Sequence, residues 1–116
     1  MDAISFEDFE KVDIRIGTVK KAEVPEWSHW VIKLTVDFGK EIGTKTCFSG
    51  IVKFFKPEDL EKKQFPFVIN LEPKKIGLEG DFSDCMMIMA VPKDDDKNPT
   101  VLFSLSKKVP NGTKVR

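Results

Sequence analysis

Pro57-Glu58-Asp59-Leu60-Glu61-Lys62-Lys63-Gln64-Phe65-Pro66-Phe67 is the stretch on which the fold turns. Pro57 fits the first position of a helix, where a missing N–H costs nothing. Glu58 and Asp59 follow at the positive end of the helix dipole, and Lys62 and Lys63 stand towards its negative end. A short helix opening at Pro57–Leu60 is predicted, and behind it a strand from Gln64 to Leu71. Pro66 cannot donate to a ladder, so the start of that strand is expected at an edge or a bulge.

Upstream of this stretch the chain reads as three strands. Lys45 to Ser49 is one, entered through a turn from Gly39 to Gly43. Val31 to Phe38 has the cleanest alternation: Ile32, Leu34, Val36 and Phe38 against Lys33, Thr35 and Asp37, the pattern of a half-buried strand. Asp13 to Val24 is the first strand. There Ile14, Ile16 and Thr18 share one face, Arg15 takes the other, Gly17 suggests a bulge or tight bend, and Pro25 ends the run. Before it, Ser5-Phe6-Glu7-Asp8 has capping-box form and predicts a helix from Phe6 to Lys11. So short a helix is unstable alone, so Phe6 and Phe9 must pack on one end of the barrel or on a second subunit.

Downstream, Glu72 to Ser83 reads as a glycine-containing loop. Asp84 to Val91 and Thr100 to Leu105 read as strands joined by the acidic turn Lys93–Pro99. Val109-Pro110-Asn111-Gly112 is a turn before a short tail. Five or six short strands with a helix between the third and the fourth is the order of an OB-fold. Strand order alone also suits an SH3-like barrel, and the Pro57 helix separates the two. The expectation is an all-β chain with short helices: one OB-fold domain over residues 1–116, a five-stranded β-barrel with a helix before the fourth strand and short terminal extensions.

Composition narrows the function. Of 116 residues 41% are hydrophobic, ample for a core, so a disordered tail is excluded. No apolar run approaches the ~20 residues of a membrane helix, and the N-terminus lacks the pattern of a signal peptide. The expectation is a cytoplasmic protein with no membrane partner. Cys47 and Cys85 are predicted to be two buried core thiols rather than a disulfide, and with one histidine and no CxxC no metal site is expected. Basic and acidic residues balance at 19 each, so any attraction to nucleic acid must come from a local patch. The segment from Lys97 to Arg116 carries such an excess: five basic residues and no acid.

Catalytic chemistry finds little to work with. His29 is the only histidine, lies in a predicted loop, and has no acid–base partner at motif spacing. GxGxxG, P-loop and GxSxG patterns are absent, so no catalytic residue and no cofactor is assigned. Asp94-Asp95-Asp96 lacks the glycine and closing glutamate of a calcium loop and reads as a solvated turn. Asn111-Gly112-Thr113 has sequon form but likewise reads as a turn. Trp27 and Trp30 carry two readings: a cover for the barrel mouth, or an aromatic platform for a base or an apolar peptide side chain. Met86, with Cys85, Met87, Ile88, Met89 and Ala90, belongs to an apolar stretch that is mostly core strand.

Several ordered motifs resemble one family. Asp13-Ile14-Arg15-Ile16-Gly17-Thr18-Val19 resembles the opening strand of the stand-alone tRNA-binding domain, which also occurs at the end of some methionyl-tRNA synthetases and in EMAP-II-like cytokine precursors. Ser49-Gly50-Ile51 with Phe54-Phe55-Lys56-Pro57-Glu58-Asp59-Leu60 resembles the approach to its helix. Asn70-Leu71-Glu72-Pro73-Lys74-Lys75-Ile76 and Ser83-Asp84-Cys85-Met86 resemble its most telling segment. Phe9-Glu10-Lys11-Val12-Asp13-Ile14-Arg15 near the N-terminus and the ending Val109–Lys114 resemble the CsaA branch, described as a secretion-related chaperone. Two places depart from the pattern: Pro25-Glu26-Trp27-Ser28-His29-Trp30, and a longer loop holding Glu79 and Asp81.

The resemblance implies a non-catalytic homodimer that binds folded tRNA by shape and backbone. Lys33, Lys53, Lys74 and Lys75 would neutralise phosphates, Asn70, Ser83 and Asp84 would hydrogen-bond ribose or base edges, and Met86 would add an apolar contact. With Arg15 and Arg116 the only arginines, phosphates would meet lysine point charges rather than guanidinium forks. The dimer interface is expected at Phe6, Phe9, Val109 and Val115. The rival expectation is a chaperone that takes apolar segments of unfolded or exported proteins at Trp27, Trp30 and Met86.

Overall fold

Residues 2–77, 81–94 and 97–116 are described in the computed structural model. A five-residue helix, α1 (Phe6–Glu10), comes first, capped by the Ser5 hydroxyl accepting from the Asp8 N–H. The Asp8 carboxylate turns to Lys11 rather than back to Ser5, so only half of the expected capping box is formed. The backbone then enters β1 (Ile14–Glu23), the longest strand. It is followed by β2 (Ile32–Asp37), β3 (Thr44–Ser49) and a single 3-10 turn at Pro57–Asp59. The predicted second helix thus shrinks to one turn, because Lys62 leaves it in the left-handed region (φ 67°). Its N–H donates to the Val19 carbonyl, and the Val19 N–H to the Lys63 carbonyl. Two sheet-like bonds replace a helical end, and they outweigh the order of 1–2 kcal/mol that a left-handed non-glycine residue costs.

The remaining elements are β4 (Gln64–Val68), β5 (Lys74–Ile76), β6 (Asp81–Ser83), β7 (Met86–Met87), β8 (Met89–Ala90), β9 (Val101–Leu102) and β10 (Lys114–Val115). The main sheet runs β3-β2-β1-β4-β7, with β10 also paired to β1. The Asp84 N–H donates to the Thr46 carbonyl at 2.8 Å, bringing the end of this path back to β3. The sheet is nearly closed, an OB-fold-like barrel as the strand order implied. Three local expectations change. The stretch Glu72–Ser83 is not a plain loop, since β5 and β6 form a hairpin. The Asp84–Val91 strand is split into β7 and β8, of which β8 pairs with β9 instead. The tail adds a strand, β10, that its two-residue length hid from sequence reading. Glu79, with Leu78 and Gly80, lies outside the described residues, as do Asp95 and Asp96 of the acidic turn.

The core explains the register. Ile32, Leu34, Val36 and Phe38 are all buried, as their alternation required. They pack with Val19, Ala22, Cys47, Leu60, Phe65, Phe67, Cys85 and Met87. Each large apolar side chain so buried contributes about 1.5–3 kcal/mol. The face of β1 that meets them is Val19 and Ala22, whereas Ile16 is buried outside this cluster, beneath the C-terminal tail. The bulge in β1 falls at Lys20, where the β2 register shifts, and not at Gly17. Gly17 instead makes room for its neighbours, since a Cβ there would stand 2.5 Å from Val36 Cγ1 and 2.7 Å from Phe38 Cε1. The missing side chain is what lets those two residues close over β1.

Pro66 is not at an edge. It pairs with Ile16 inside the β1–β4 ladder. Ile16 spends its own N–H and carbonyl on Thr113 and Gly112, so the pair makes no hydrogen bonds and the absent Pro66 N–H is not missed on that side. The terminal extensions are tied to the barrel by polar side chains. The Asn70 amide donates to the Lys11 carbonyl (2.6 Å) and accepts from the Asp13 N–H (2.9 Å). Asp13 Oδ1 accepts from Arg15 Nε (2.8 Å) and Lys114 Nζ (3.1 Å), joining both ends of the chain. The Gln64 amide holds the Val109 backbone in both directions.

Two outcomes test this account. Gly17→Ala overpacks the barrel and is expected to lower stability by about 1–3 kcal/mol, read from urea unfolding. At Asp13 partial burial raises the carboxyl's pKa, but hydrogen bonds from Arg15 and then Lys114 outweigh it and hold the group below its ordinary value. A depressed carboxylate stabilises the fold above its unfolded pKa of about 3.9 and loses that contribution as pH falls through the lower, folded value. Asp13→Asn should therefore unfold more readily than the parent at pH 7, and the urea midpoints should converge below about pH 4.

Candidate nucleic-acid interface

The outward face of β2 and β3 leads to a surface cleft. In β3 the core takes Cys47 and Ser49, so Phe48 must point outwards, next to Lys33 across the ladder. Trp27 packs on Phe48 with ring centroids 5.8 Å apart. It also lies against Gly77, whose φ of 74° and close approach to the indole (2.7 Å for a Cβ) leave no room for a side chain. Trp27 therefore seats the β5–β6 hairpin on the barrel. Trp30 is 79% exposed and takes no part in this packing. Of the two readings of the tryptophans, Trp27 fits the cover and Trp30 is left as an open ring.

Below the hairpin runs a cleft of about 540 Å³ lined by Phe48, Leu71, Lys74, Ile76, Ser83 and Met86, with Glu72 as its one acid among the described residues. A second cleft of about 390 Å³ continues past Phe48 and Met86 along Met87, Ile88, Met89 and Val91. Lys74, Ser83 and Met86 are thus brought together. Lys75 is not: neighbours in a strand face opposite ways, so Lys75 lies with its partner Phe82 on the far side of the hairpin. Lys33 sits at the rim, its Nζ 3.5 Å from the Asp81 carboxylate. Such a half-exposed pair is worth about 0–1 kcal/mol and leaves the ammonium open to exchange for a phosphate. Lys53 lies 5.5 Å over the Phe54 ring and does not line the cleft.

The polar candidates are partly committed. Ser83 Oγ accepts from the Phe48 N–H and donates to the Cys85 carbonyl, both at 3.1 Å. Its hydroxyl proton is used, so towards a ligand it can only accept. Asn70 keeps one N–H and one lone pair beyond its bonds to Lys11 and Asp13. Asp84 is half-buried at the seam where its backbone meets β3. Phe6 is 68% exposed and Phe9 39%, and α1 buries none of its residues. Val109 and Val115 are half-buried against their own chain. Sequence reading missed Phe48, Leu71 and Ile76. Phe48 carried a signal, an aromatic at an outward position of a strand, whereas Leu71 and Ile76 needed the hairpin.

Other chemistry is thin. Cys47 and Cys85 are both free and buried. The Cys85 contact and burial push the Cys47 thiol well above its ordinary pKa, the opposite of a reactive thiolate. Among the described residues there is no group of three or more His, Cys, Asp or Glu placed to hold a metal, and no helix long and apolar enough to cross a membrane.

A family model described as "Putative tRNA binding domain" matches residues 14–114. The chain belongs to this family. It is 42% identical over 115 residues to the methionine–tRNA ligase of Archaeoglobus fulgidus, covering 98% of this chain but 16% of that protein. The Clostridium tetani ligase is 36% identical over 115 residues, with 17% of its length covered. The chain thus spans only a small part of these full-length enzymes and is homologous to their C-terminal binding domain. Among solved structures, the MetRS-related protein from Pyrococcus horikoshii is 37% identical, with a TM-score of 0.89 and full coverage of both chains. The chaperone CsaA from Bacillus anthracis is also 37% identical, with a TM-score of 0.85 and 99% and 100% of the two chains covered.

Proposed function

We propose that this chain is a non-catalytic tRNA-binding homodimer that recognises folded RNA by its shape and backbone, through the clefts around Phe48. The observation that carries this reading is the meeting of Lys74, Ser83 and Met86 over the outward Phe48 ring, in a chain of the tRNA-binding family. A lysine beside an aromatic and a methionine offers a phosphate contact next to an apolar surface for a base or ribose. Lys33 adds charge at the rim, and Lys75 with the exposed Phe82 makes a second contact on the far face of the hairpin. An RNA that straddles the hairpin would use both faces. Asn70 and Asp84 remain contributors at the margins, each next in sequence to a residue that lines the cleft (Leu71 and Ser83), and Lys53 lies three residues beyond Gly50 of the second cleft. The absence of catalysis is supported by the correspondence to the binding domain of larger enzymes and by His29, exposed in a turn.

The dimer is supported by α1. Ile4, Phe6, Phe9 and Val12 are exposed together at the N-terminal end, along and beside a helix that buries none of its own residues. A five-residue helix has too little intrinsic stability to hold apolar rings in water. A second copy would bury them, and two Phe48 clefts on one particle would suit a folded RNA.

A peptide-binding reading is favoured by one feature. The cleft from Phe48 to Val91 is lined by Met86, Met87 and Met89, and methionine adapts to varied apolar side chains. The structural relative CsaA from Bacillus anthracis is a chaperone, and an apolar client at Trp30 and this methionine row is the corresponding function here.

Binding of bulk tRNA across a salt series separates the two. Lys74→Ala with Lys75→Ala is expected to weaken binding and to lower the slope of log K on log salt by up to about 2. Trp30→Ala should have the smaller effect. If tRNA fails to bind at low salt while unfolded clients bind in a salt-resistant, Trp30- and Met86-dependent way, the RNA reading falls. For assembly, Phe6→Ser with Phe9→Ser should convert a dimer to a folded monomer in sedimentation, and a parent protein already monomeric at high concentration would refute the dimer.

A further inference from the structure

We infer that the chain carries a second phosphate-binding cleft, distinct from the Phe48 surface, that takes the phosphodiester backbone of RNA. It lies over the β1–β4 seam, has a volume of about 320 Å³, and is lined by Lys62, Lys63, Lys107 and Lys108 around Gln64 and Ser104. It shares no residue with the clefts around Phe48. None of its lining residues is an acid, and none of the four lysines has an ion-pair partner among the described residues. Glu61, next in sequence to Lys62, turns its Oε2 to the Ala22 N–H, and Asp37, across the ladder from Thr18, turns its Oδ1 to the Gly39 N–H. In a chain of zero net charge, this is a concentrated positive site.

The backbone on either side of the cleft is held in place. Lys62 and Lys63 have their backbones pinned to Val19 by the paired bonds described above, with Lys62 in the left-handed region. A non-glycine residue in that conformation persists where surrounding bonds over-determine it, as these do. Lys107 and Lys108 sit on the opposite wall. The next residue, Val109, is clamped by the Gln64 amide, which donates to its carbonyl (2.7 Å) and accepts from its N–H (3.1 Å). Asn111 extends the clamp, accepting from Thr18 Oγ1 and Gln64 Nε2. Two lysine pairs from segments far apart in sequence thus face one concavity whose walls are joined by hydrogen bonds. Ammonium groups on mobile stems around a concavity that also holds Phe65 and Leu105 suit a phosphodiester, whose phosphate needs charge without a fixed fork and whose sugar and base can lie on an apolar wall. The Ser104 hydroxyl adds a donor at the rim.

The inference rests on the proposed RNA-binding reading only for the source of the phosphates, so the test uses a probe independent of tRNA. Backbone amides of the isotopically labelled full chain are followed by NMR during titration with a uridine pentanucleotide at low salt. Saturable shifts are expected at Lys62, Lys63 and Ser104–Lys108. Lys107→Ala with Lys108→Ala should weaken that binding several-fold and lower its salt slope by about 1.4, the value for two contacts to a single strand. Should the double variant lose its dispersed spectrum, Lys63→Ala reads the same cleft from the other wall. Unmoved amides here at low salt overturn the inference, as does an equal response to polyglutamate, which would make the cleft a general polyanion or acidic-protein site. If these amides respond to the pentanucleotide while tRNA binding fails, the cleft stands and the tRNA reading falls. If tRNA binds with Lys74 and Lys75 but indifferently to Lys107 and Lys108, and these amides stay unmoved, the reverse holds.

Discussion

The barrel depends on β1 being paired along both edges while carrying, at Gly17, no side chain. Val36 and Phe38 approach to within van der Waals reach of the bare Cα, and any Cβ would collide with them. From that contact the rest follows. With Gly17 against β2, the strand offers its other edge to β4 from Ile14 to Thr18. At Lys20 the bulge turns it, so that Val19 can bond Lys62 and Lys63 on one side and pair with Val36 on the other. Ile14 and Arg15, left without a β2 partner, receive the tail as β10. One strand thereby recruits the sheet, the turn before β4 and the C-terminal extension.

This arrangement decides what faces outwards. Because Cys47 and Ser49 are committed to the core, Phe48 is forced onto the solvent face, where Trp27 and Gly77 dock the β5–β6 hairpin beside it. The cleft is thus a by-product of barrel closure, and its rigidity comes from backbone-bound Ser83 rather than from the exposed lysines. The second basic cleft has the same origin. It exists because the tail must cross β4 to reach β1, and Gln64 fastens it there. Both surfaces place lysine charge around concavities whose walls are held by hydrogen bonds. That arrangement offers charge without a fixed ligand geometry, and it matches a chain with almost no arginine.

Much of this was legible beforehand. The alternation of Ile32, Leu34, Val36 and Phe38, the turn from Gly39 to Gly43 and the order of strands about Pro57 were enough for the barrel, since burial on one face imposes a period of two. The buried thiols followed from composition. Elements without such a period were misjudged. The β5–β6 hairpin has three residues on each side, too few to alternate, and it folds because Trp27 and Phe48 support it. Pro66 read as an edge marker because the sequence does not tell that Ile16 directs its hydrogen bonds to the tail. Lys74 and Lys75 looked equivalent as neighbours, and only the hairpin's pleat sends them to opposite faces.

The sequence by itself determined the class of fold, the core strands, the capped N-terminal helix and the family, because these are written in local periodicity and in motifs of adjacent residues. The tertiary structure alone decided which lysines share a cleft, that Asn70 and Asp13 tie the chain's ends together, and that Phe48 rather than Trp30 floors the main surface. Those outcomes depend on contacts between residues such as Gln64 and Val109, or Trp27 and Gly77, that lie far apart in the chain. Local propensity has no knowledge of them, for the free energy that selects them appears only when the barrel has closed.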